Sequence, residues 1–529
     1  MMSRKKGVVA MNENSRRGKD KIDKVKYSFE TPVSIPANEI TERVTTDIVV
    51  VGAGTGGAVA GAVAAMSGSK TILLNKDLVQ AGPRAFLYGF VNSKSQIAAG
   101  NVTDVEAKVY DDYIASHGCA EIPILRALHE NSGKVWDLYE EVAADQGATL
   151  KAVPGGGAGW VEGLEVATSR NYGYYDMLRN YGVKFGMEYR GATRAVQLIR
   201  PNNKGRVTGV IAKKPDGTYV QFNVNKAVIL ASGDFGGDPE MLQAYAPWLL
   251  GALSLYFPGN NTGDMHKACM WIGALMQDWP YQSIIHFNCT NLKPPINHNQ
   301  VFETGIIRQT AGAKKTTAPI NPRAGTQSGQ LLYVNKHGRR FTNEYGAQEK
   351  DSFVAMEHFA GGVFAQPDKT CWAVFCESDV IDKDRLNEKR KTGEVLTANT
   401  IEELATKFGA DPDIFRATVD RYNGFVDSGK DLDYGKNALN MSPIKTPPYY
   451  VCEQPPCLLN TTGGPRVNAN AQVLDKVTWE PIPGLYAIGL MMGIRLRDPA
   501  LFHSSLDGPV PPTFGYIAAQ HAAALTFKD

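Results

Sequence analysis

At 529 residues the chain is too long for one hydrophobic core, so two or more domains are expected. Its 43% hydrophobic and 21% charged residues describe an ordinary globular protein, and a formal charge of +2 argues against a nucleic-acid surface. No run approaches about 18 apolar residues, no apolar segment follows the basic N-terminus, and seven cysteines make no disulfide framework in a chain this long, so no membrane span, export leader or cystine scaffold is expected and the compartment reads as cytoplasmic.

Residues 1–44 are charged and poor in large apolar side chains. They read as a flexible arm, either solvated or lying along its own domain or a neighbouring subunit of a homo-oligomer. The stretch 46–76 is the organising unit of the chain. Ile48 to Val51 is a β-branched run, Gly52-Ala53-Gly54-Thr55-Gly56-Gly57 comes directly after it, a small-residue helix spans Ala58 to Met66, and Thr71 to Leu74 is a second strand. Strand, GxGxxG, helix and strand in that order predict a dinucleotide-binding βαβ unit. Gly52 serves the tight turn, Gly54 lets backbone N–H groups approach a pyrophosphate, and Gly57 lets the helix pack on the strand. An acid usually ends the second strand and binds the adenosine ribose; Asn75 stands there, with Lys76 next to it.

Beyond this unit, 81–101 reads as a loop over the cofactor, 102–147 as surface helices with one buried stripe, and 151–164 as a mobile glycine loop. From Val183 to Leu230 the apolar period is two. The turns Asn203 to Gly205 and Pro215-Asp216-Gly217 divide it into three antiparallel strands that feed a buried strand, Ala227 to Ala231. Ser232-Gly233-Asp234-Phe235-Gly236-Gly237 ends that strand. A helix from Met265 to Ile272 is expected to be capped by Thr262 or Asp264. Leu331 to Phe341 reads as a hairpin. Residues 399–426 read as two helices, the first opened by Thr400 with Glu402 and Glu403, the second by Asp411 and Pro412. A final helix is expected from Phe514 to Ala524. Cys371-x4-Cys376 and Cys452-x4-Cys457 lack zinc-site spacing and read as core cysteines, so no metal is expected.

The pieces VVVGAGTGGAVA, NKAVILASGDFGGDPEML, GNNTGDMHKACMWIGA, GRRFTNE, TIEELATKFGADPDIFRATVDRYN, LLNTTGGPRVN, PIPGLYAIG and TFGYIAAQHAA occur in one order. In that order the chain resembles the flavoprotein family of fumarate reductases and succinate dehydrogenases, which also contains 3-ketosteroid dehydrogenases and urocanate reductases. The resemblance covers most of residues 28–529. It implies an α/β fold: a doubly wound, Rossmann-like FAD-binding domain of the glutathione-reductase type, with an inserted α+β capping domain. The corresponding boundaries are 1–44 for the arm, 45–285 and 445–529 for the two parts of the FAD domain, and 286–444 for the cap. It also implies non-covalent FAD, since no His stands in the flavin-attachment motif, and hydride transfer between flavin N5 and an activated C=C bond with proton transfer at the neighbouring carbon. Cofactor contacts are implied at Gly52, Ala53, Gly54, Gly56, Gly57, Asn75, Lys76, Ser232, Gly233, Asp264, Gly489 and Leu490.

The departures from the family shape the substrate expectation. Asn75 replaces Glu, Gly233-Asp234 replaces a glycine pair, and Leu490 replaces the Glu after Gly489. Gln348 stands where fumarate reductases carry the proton-delivering Arg and ketosteroid dehydrogenases a Tyr. Asn460 stands where a substrate His is usual, and the second substrate Arg falls at Phe502 or His503. With those cations gone a dicarboxylate would be poorly neutralised, so a neutral or monoanionic ring substrate, such as an enone, steroid or polyphenol, is expected. The proton donor or carbonyl binder is sought among His503, Tyr345, His286 and Arg497, with Tyr88, Arg495 and Asp507 as weaker candidates. No CxxCH and no second nucleotide motif are present, so a separate electron donor is expected. Two other readings remain: a flavin-deficient partner subunit of a related enzyme, and a redox-neutral isomerase or lyase.

Overall fold

The computed structural model describes residues 26–78, 87–116, 120–152, 158–162, 173–247, 254–255, 261–277, 282–287, 331–344, 362–376, 383–438, 441–454, 456–493 and 508–527. Strand β1 (Ile40–Val51) is longer than its buried half: residues 40–45 alternate outward, and Ile48 to Val51 are all buried. Helix α1 (Thr55–Met66) is made almost wholly of Gly, Ala and Val and lies flat against the sheet. Strand β2 (Thr71–Leu74) completes the expected unit. Helices α2 (Val105–Ala115) and α3 (Ile122–Asp145) fill the expected helical stretch, α3 burying Leu128, Trp136 and Tyr139. The stretch 151–164 is not simply a loop, since Thr149–Ala152 and Ala158–Glu162 pair as antiparallel strands.

Helix α4 (Gly173–Lys184) takes the start of the period-two region. After it come β3 (Glu188–Arg190), β4 (Arg194–Ile199), β5 (Gly209–Lys213) and β6 (Tyr219–Leu230). The expected third hairpin strand and the buried strand are one continuous β6. Its first half pairs with β5 and its length pairs with β1. Two short helices come next, α5 (Pro239–Tyr245) and α6 (Asp264–Trp271), then β7 (Gln282–Phe287). After these come β8 (Leu332–Val334), β9 (Cys371–Cys376), β10 (Val395–Ala398), α7 (Ile401–Phe408), α8 (Pro412–Ser428) and β11 (Tyr449–Gln454). The chain closes with β12 (Pro456–Thr462), β13 (Gln472–Leu474), β14 (Pro481–Ala487) and α9 (Val510–Ala523). Helix α9 starts earlier than expected because Pro511 and Pro512 sit in its first turn, where no N–H is missed.

The principal sheet runs β13-β14-β6-β1-β2-β3, with β5 also on β6 and β4 on β5. Pairs β14–β6, β6–β1, β1–β2 and β2–β3 are parallel. The chain therefore moves outward from β1 to β2 and β3 on one side, then returns to place β6 and β14 on the other. The order reverses at β1, and ligands of such sheets sit at the carboxyl ends of the strands at that reversal. Gly515 of α9 lies so close to α1 that a Cβ on it would come 2.4 Å from the Gly56 carbonyl oxygen.

A second, antiparallel sheet has the order β8-β9-β11-β10. Strand β11 belongs to it although it lies past the expected boundary at residue 444. One face buries Leu332, Val334, Val374 and Val451 against α7 and α8. The other buries Tyr333, Ala373, Phe375 and Tyr450 in a cluster shared with Phe29, Phe235, Met241 and Leu242. Period-two burial thus assigns one face to the helix pair and one to the dinucleotide half. Within the arm, residues 26–39 lie along the molecule: Phe29 is 5% exposed, its carbonyl accepts from Trp271 Nε1 at 2.8 Å, and its ring lies 5.9 Å from that of Tyr245. Strand β12 joins β7 and Ser254–Leu255 in a small third sheet. Among the described residues no helix is long and apolar enough to cross a membrane.

Candidate functional site

Four strand ends converge at one edge of the principal sheet, and the expected cofactor residues lie at them, save Gly56 and Gly57 in the first turn of α1 and Asp264 at the start of α6. At the end of β1, Gly52 has φ +100, a conformation L side chains rarely adopt. A Cβ there would come 2.4 Å from the Ala231 carbonyl oxygen, and one on Gly57 would come 1.8 Å from the Gly52 oxygen. The Gly52 N–H donates to Leu74 O at 2.8 Å, and Ala231 N–H to Val51 O at 2.8 Å, so the turn is bolted to both neighbouring strands. Gly54 differs: it precedes α1 without a side-chain cap, and a Cβ built on it meets nothing within 4 Å. The crowded side of this corner is backbone, and the open side faces away from it over the start of α1.

At the end of β2, Asn75 is anchored by its main chain, donating to Arg190 O at 2.9 Å and accepting from Thr193 N–H at 2.8 Å. Its Nδ2 donates to Asp77 O at 3.1 Å. Burial pushes the Lys76 ammonium below the usual lysine range, against the opposing pull of Asp77 and Asp264. Asp264 does not cap α6. Left-handed Gly263 precedes that helix, and both Asp264 oxygens are held by Arg194, at 2.7 and 2.8 Å, with Thr262 Oγ1 donating at 2.9 Å.

At the end of β6, Gly233 is left-handed (φ +78) and Ser232 Oγ lies 3.2 Å from Met491 Sδ. Asp234 is fully buried and burial pushes its carboxyl up to about 7, against the hydrogen bonds it accepts. The His266 side chain, also fully buried, is pushed down to about 4, so its ring is neutral; its Nε2 lies 2.9 Å from the Gly463 carbonyl oxygen, to which it donates. At the end of β14, Gly489 (φ +70) turns against Pro511, and Leu490 is half-buried beside it.

Of the expected catalytic residues, His503, Tyr345, Arg497 and Gln348 lie outside the described residues, as do Arg495 and Asp507. His286 and Asn460 come together on paired strands: in the β7–β12 ladder Ile284 is opposite Asn460 and His286 opposite Cys457. Tyr88 pairs with Ala158 in a short strand.

The sequence reading missed what the GRRFTNE segment does. Arg340 holds both oxygens of Glu344 at 2.8 Å and reaches Asp431 Oδ2 at 2.8 Å. Lys436 Nζ lies 3.2 Å from Glu344 and donates to Leu331 O at 2.8 Å. Burial lowers the Lys436 ammonium to about 8. This buried network fixes the chain immediately before Tyr345. The i,i+4 Arg/Glu spacing was a readable signal; the partner 91 residues away was not.

A family model described as an FAD binding domain matches residues 47–496. The chain is similar to the fumarate reductase (cytochrome) of Shewanella frigidimarina, 27% identical over 499 residues that span 92% of this chain and 78% of that protein. It is similar to the vinyl phenol reductase of Lactiplantibacillus plantarum, 27% identical over 538 residues spanning 91% of this chain and 97% of that protein. Among solved structures, the 3-ketosteroid delta1-dehydrogenase from Sterolibacterium denitrificans in complex with 1,4-androstadiene-3,17-dione is similar at a TM-score of 0.68 and 20% identity, covering 91% of this chain and 99% of that one, a likeness of fold.

Proposed function

The chain belongs to the FAD-binding family of the fumarate-reductase-type flavoproteins, an FAD-dependent oxidoreductase, and from that premise we propose that it reduces, or in reverse forms, an activated C=C bond in a neutral or monoanionic ring substrate. The residues present fit FAD. The glycine corner is closed on its backbone side and open at Gly54, the shape a diphosphate needs beside a helix N-terminus. When bound, the flavin supplies the hydride chemistry at N5. The chain would do the rest: backbone amides of Gly52 to Gly57 would donate to the diphosphate, Asn75 and Lys76 would meet the adenosine ribose, and the 232–233 and 489–490 turns would border the remainder of the cofactor. A proton from His503 or Tyr345 completes the saturation. His286, Asn460, Gln348 and Arg497 hold the group that activates the double bond, and two electrons come from an external donor.

The substrate class rests on charge. Gln348 and Asn460 put amides where cations are usual in the family. Several cations among the described residues already carry acids: Arg194 with Asp264, Arg340 with Glu344 and Asp431, Lys436 with Glu344, and Lys267 with Asp238. A second carboxylate on the substrate would find no such partner among them. Vinyl phenol reductase, whose length this chain nearly spans, acts on a substrate of the proposed kind.

The test is reoxidation of anaerobically photoreduced holoenzyme, monitored by return of the oxidised-flavin band. 4-Vinylphenol or an enone steroid is expected to reoxidise it, and fumarate to leave it reduced. Fumarate acting fastest would overturn the substrate class; purified protein that takes up no flavin would overturn the whole reading.

A further inference from the structure

Asp234 stands where a glycine was expected, and its carboxylate is fully buried. Oδ1 accepts from Gly236 N–H at 2.6 Å and from Thr461 Oγ1 at 3.2 Å; Oδ2 accepts from Asn261 Nδ2 at 2.9 Å. Thr461 Oγ1 accepts in turn from Phe235 N–H at 3.3 Å. The three donors come from three segments: the turn after β6, the approach to α6, and the end of β12. Glycine or alanine at 234 would leave the buried Gly236 N–H and Thr461 hydroxyl, and the partly buried Asn261 amide, without that acceptor.

The same segments border the flavin corner. A Cβ on Gly52 would lie 3.0 Å from Ser232 Cα, two residues before Asp234. Thr461, next to the last residue of β12, leads into the Gly463-Gly464 turn, where a Cβ on Gly464 would lie 2.1 Å from Met491 O and 3.0 Å from His266 Nε2. Met491 closes the circuit through its sulfur contact with Ser232. The turns after β6, β12 and β14 thus form a ring of contacts at the mouth of the site, and the Asp234 side chain joins two of them.

We infer that Asp234 is a positioning residue whose carboxylate clasps the 232–236 turn to Thr461 and Asn261, and so sets the shape of the flavin seat. The inference rests on the FAD-binding reading. FAD is titrated into the apoprotein of the full chain by fluorescence quenching, for wild type, D234A, D234N, T461V and T461S. The visible circular dichroism of the bound flavin and the melting of each apoprotein are recorded in parallel. D234A is expected to weaken FAD binding by roughly tenfold or more and to alter the flavin dichroism. D234N, which keeps an acceptor, is expected to stay within roughly threefold of wild type. T461V should weaken binding, and T461S should restore it. If D234A fails to fold, the T461V and T461S pair decides the question. Wild-type affinity and dichroism in D234A and T461V overturn the inference alone; wild-type apoprotein that binds no FAD overturns the cofactor reading and the inference together.

Discussion

Asp234 and His266 stand on either side of Phe235, whose ring lies 5.4 Å from the imidazole, and burial drives the two groups in opposite directions. The Asp234 carboxyl rises from 3.8 unfolded to about 7 folded. Between those values the native state holds the extra proton, so the contribution of this group to stability is full below about pH 4 and is lost as pH rises to 7. The full span is on the order of 4 kcal/mol. His266 falls from 6.5 to about 4, so its contribution is present above pH 6.5 and lost as pH drops toward 4. The charged neighbours of the pair are Lys267 and Asp264 on α6 and Lys76 after β2. D234N removes only the first slope. Its melting temperature relative to wild type is expected to climb between pH 5 and pH 8, and a pH-independent difference would refute the assignment. Asp234 could be read in the sequence only as a departure; its burial depends on donors 27 and 227 residues away, which no local pattern carries.

At the scale of elements, local rules wrote what local rules can write. The βαβ unit comes from glycine spacing. The openings of α7 and α8 come from their caps, Thr400 accepting from Glu403 N–H at 3.1 Å and Asp411 from Asp413 and Ile414 N–H at 3.0 Å. The reading failed where tertiary pairing overrode local signals. Strand β6 runs straight through because it is shared by β5 and β1, and at α6 the left-handed Gly263 takes the cap position while Asp264, the first helical residue, pairs with Arg194. The hairpin from β8 shows the energetic side. In E344Q, among the described residues, Arg340 and Lys436 keep only Asp431 as a buried counter-charge. The variant is expected to lose roughly 3–5 kcal/mol in denaturant unfolding, the usual cost of breaking a buried ion pair. A loss under about 1 kcal/mol would mean the network is dispensable.

At the scale of the molecule, three apolar clusters of the described residues divide the work. One lies under the principal sheet, one between the second sheet and its helix pair, and one binds the second sheet to the dinucleotide half through Phe29, Phe235 and Met241. Composition foretold more than one core. It left open whether the arm was solvated or lay along its own domain or a neighbouring subunit; Phe29 wedges into the cluster joining the two sheets, so residues 26–39 lie along their own chain. The convergence of four strand ends was legible from one motif, because a parallel sheet leaves its ligand little choice of edge; the expected reacting groups His503, Tyr345, Gln348 and Arg497 lie outside the described residues and stand as proposals.

The free space over Gly54 has a practical use. Its backbone (φ −74, ψ −165) is extended, and a Cβ there meets nothing within 4 Å, so a side chain would project into the space that the diphosphate would need. G54L is therefore expected to melt like the wild-type apoprotein yet come off the column colourless. Such a cofactor-blind twin would separate what this chain does by redox chemistry from anything it does simply by being folded.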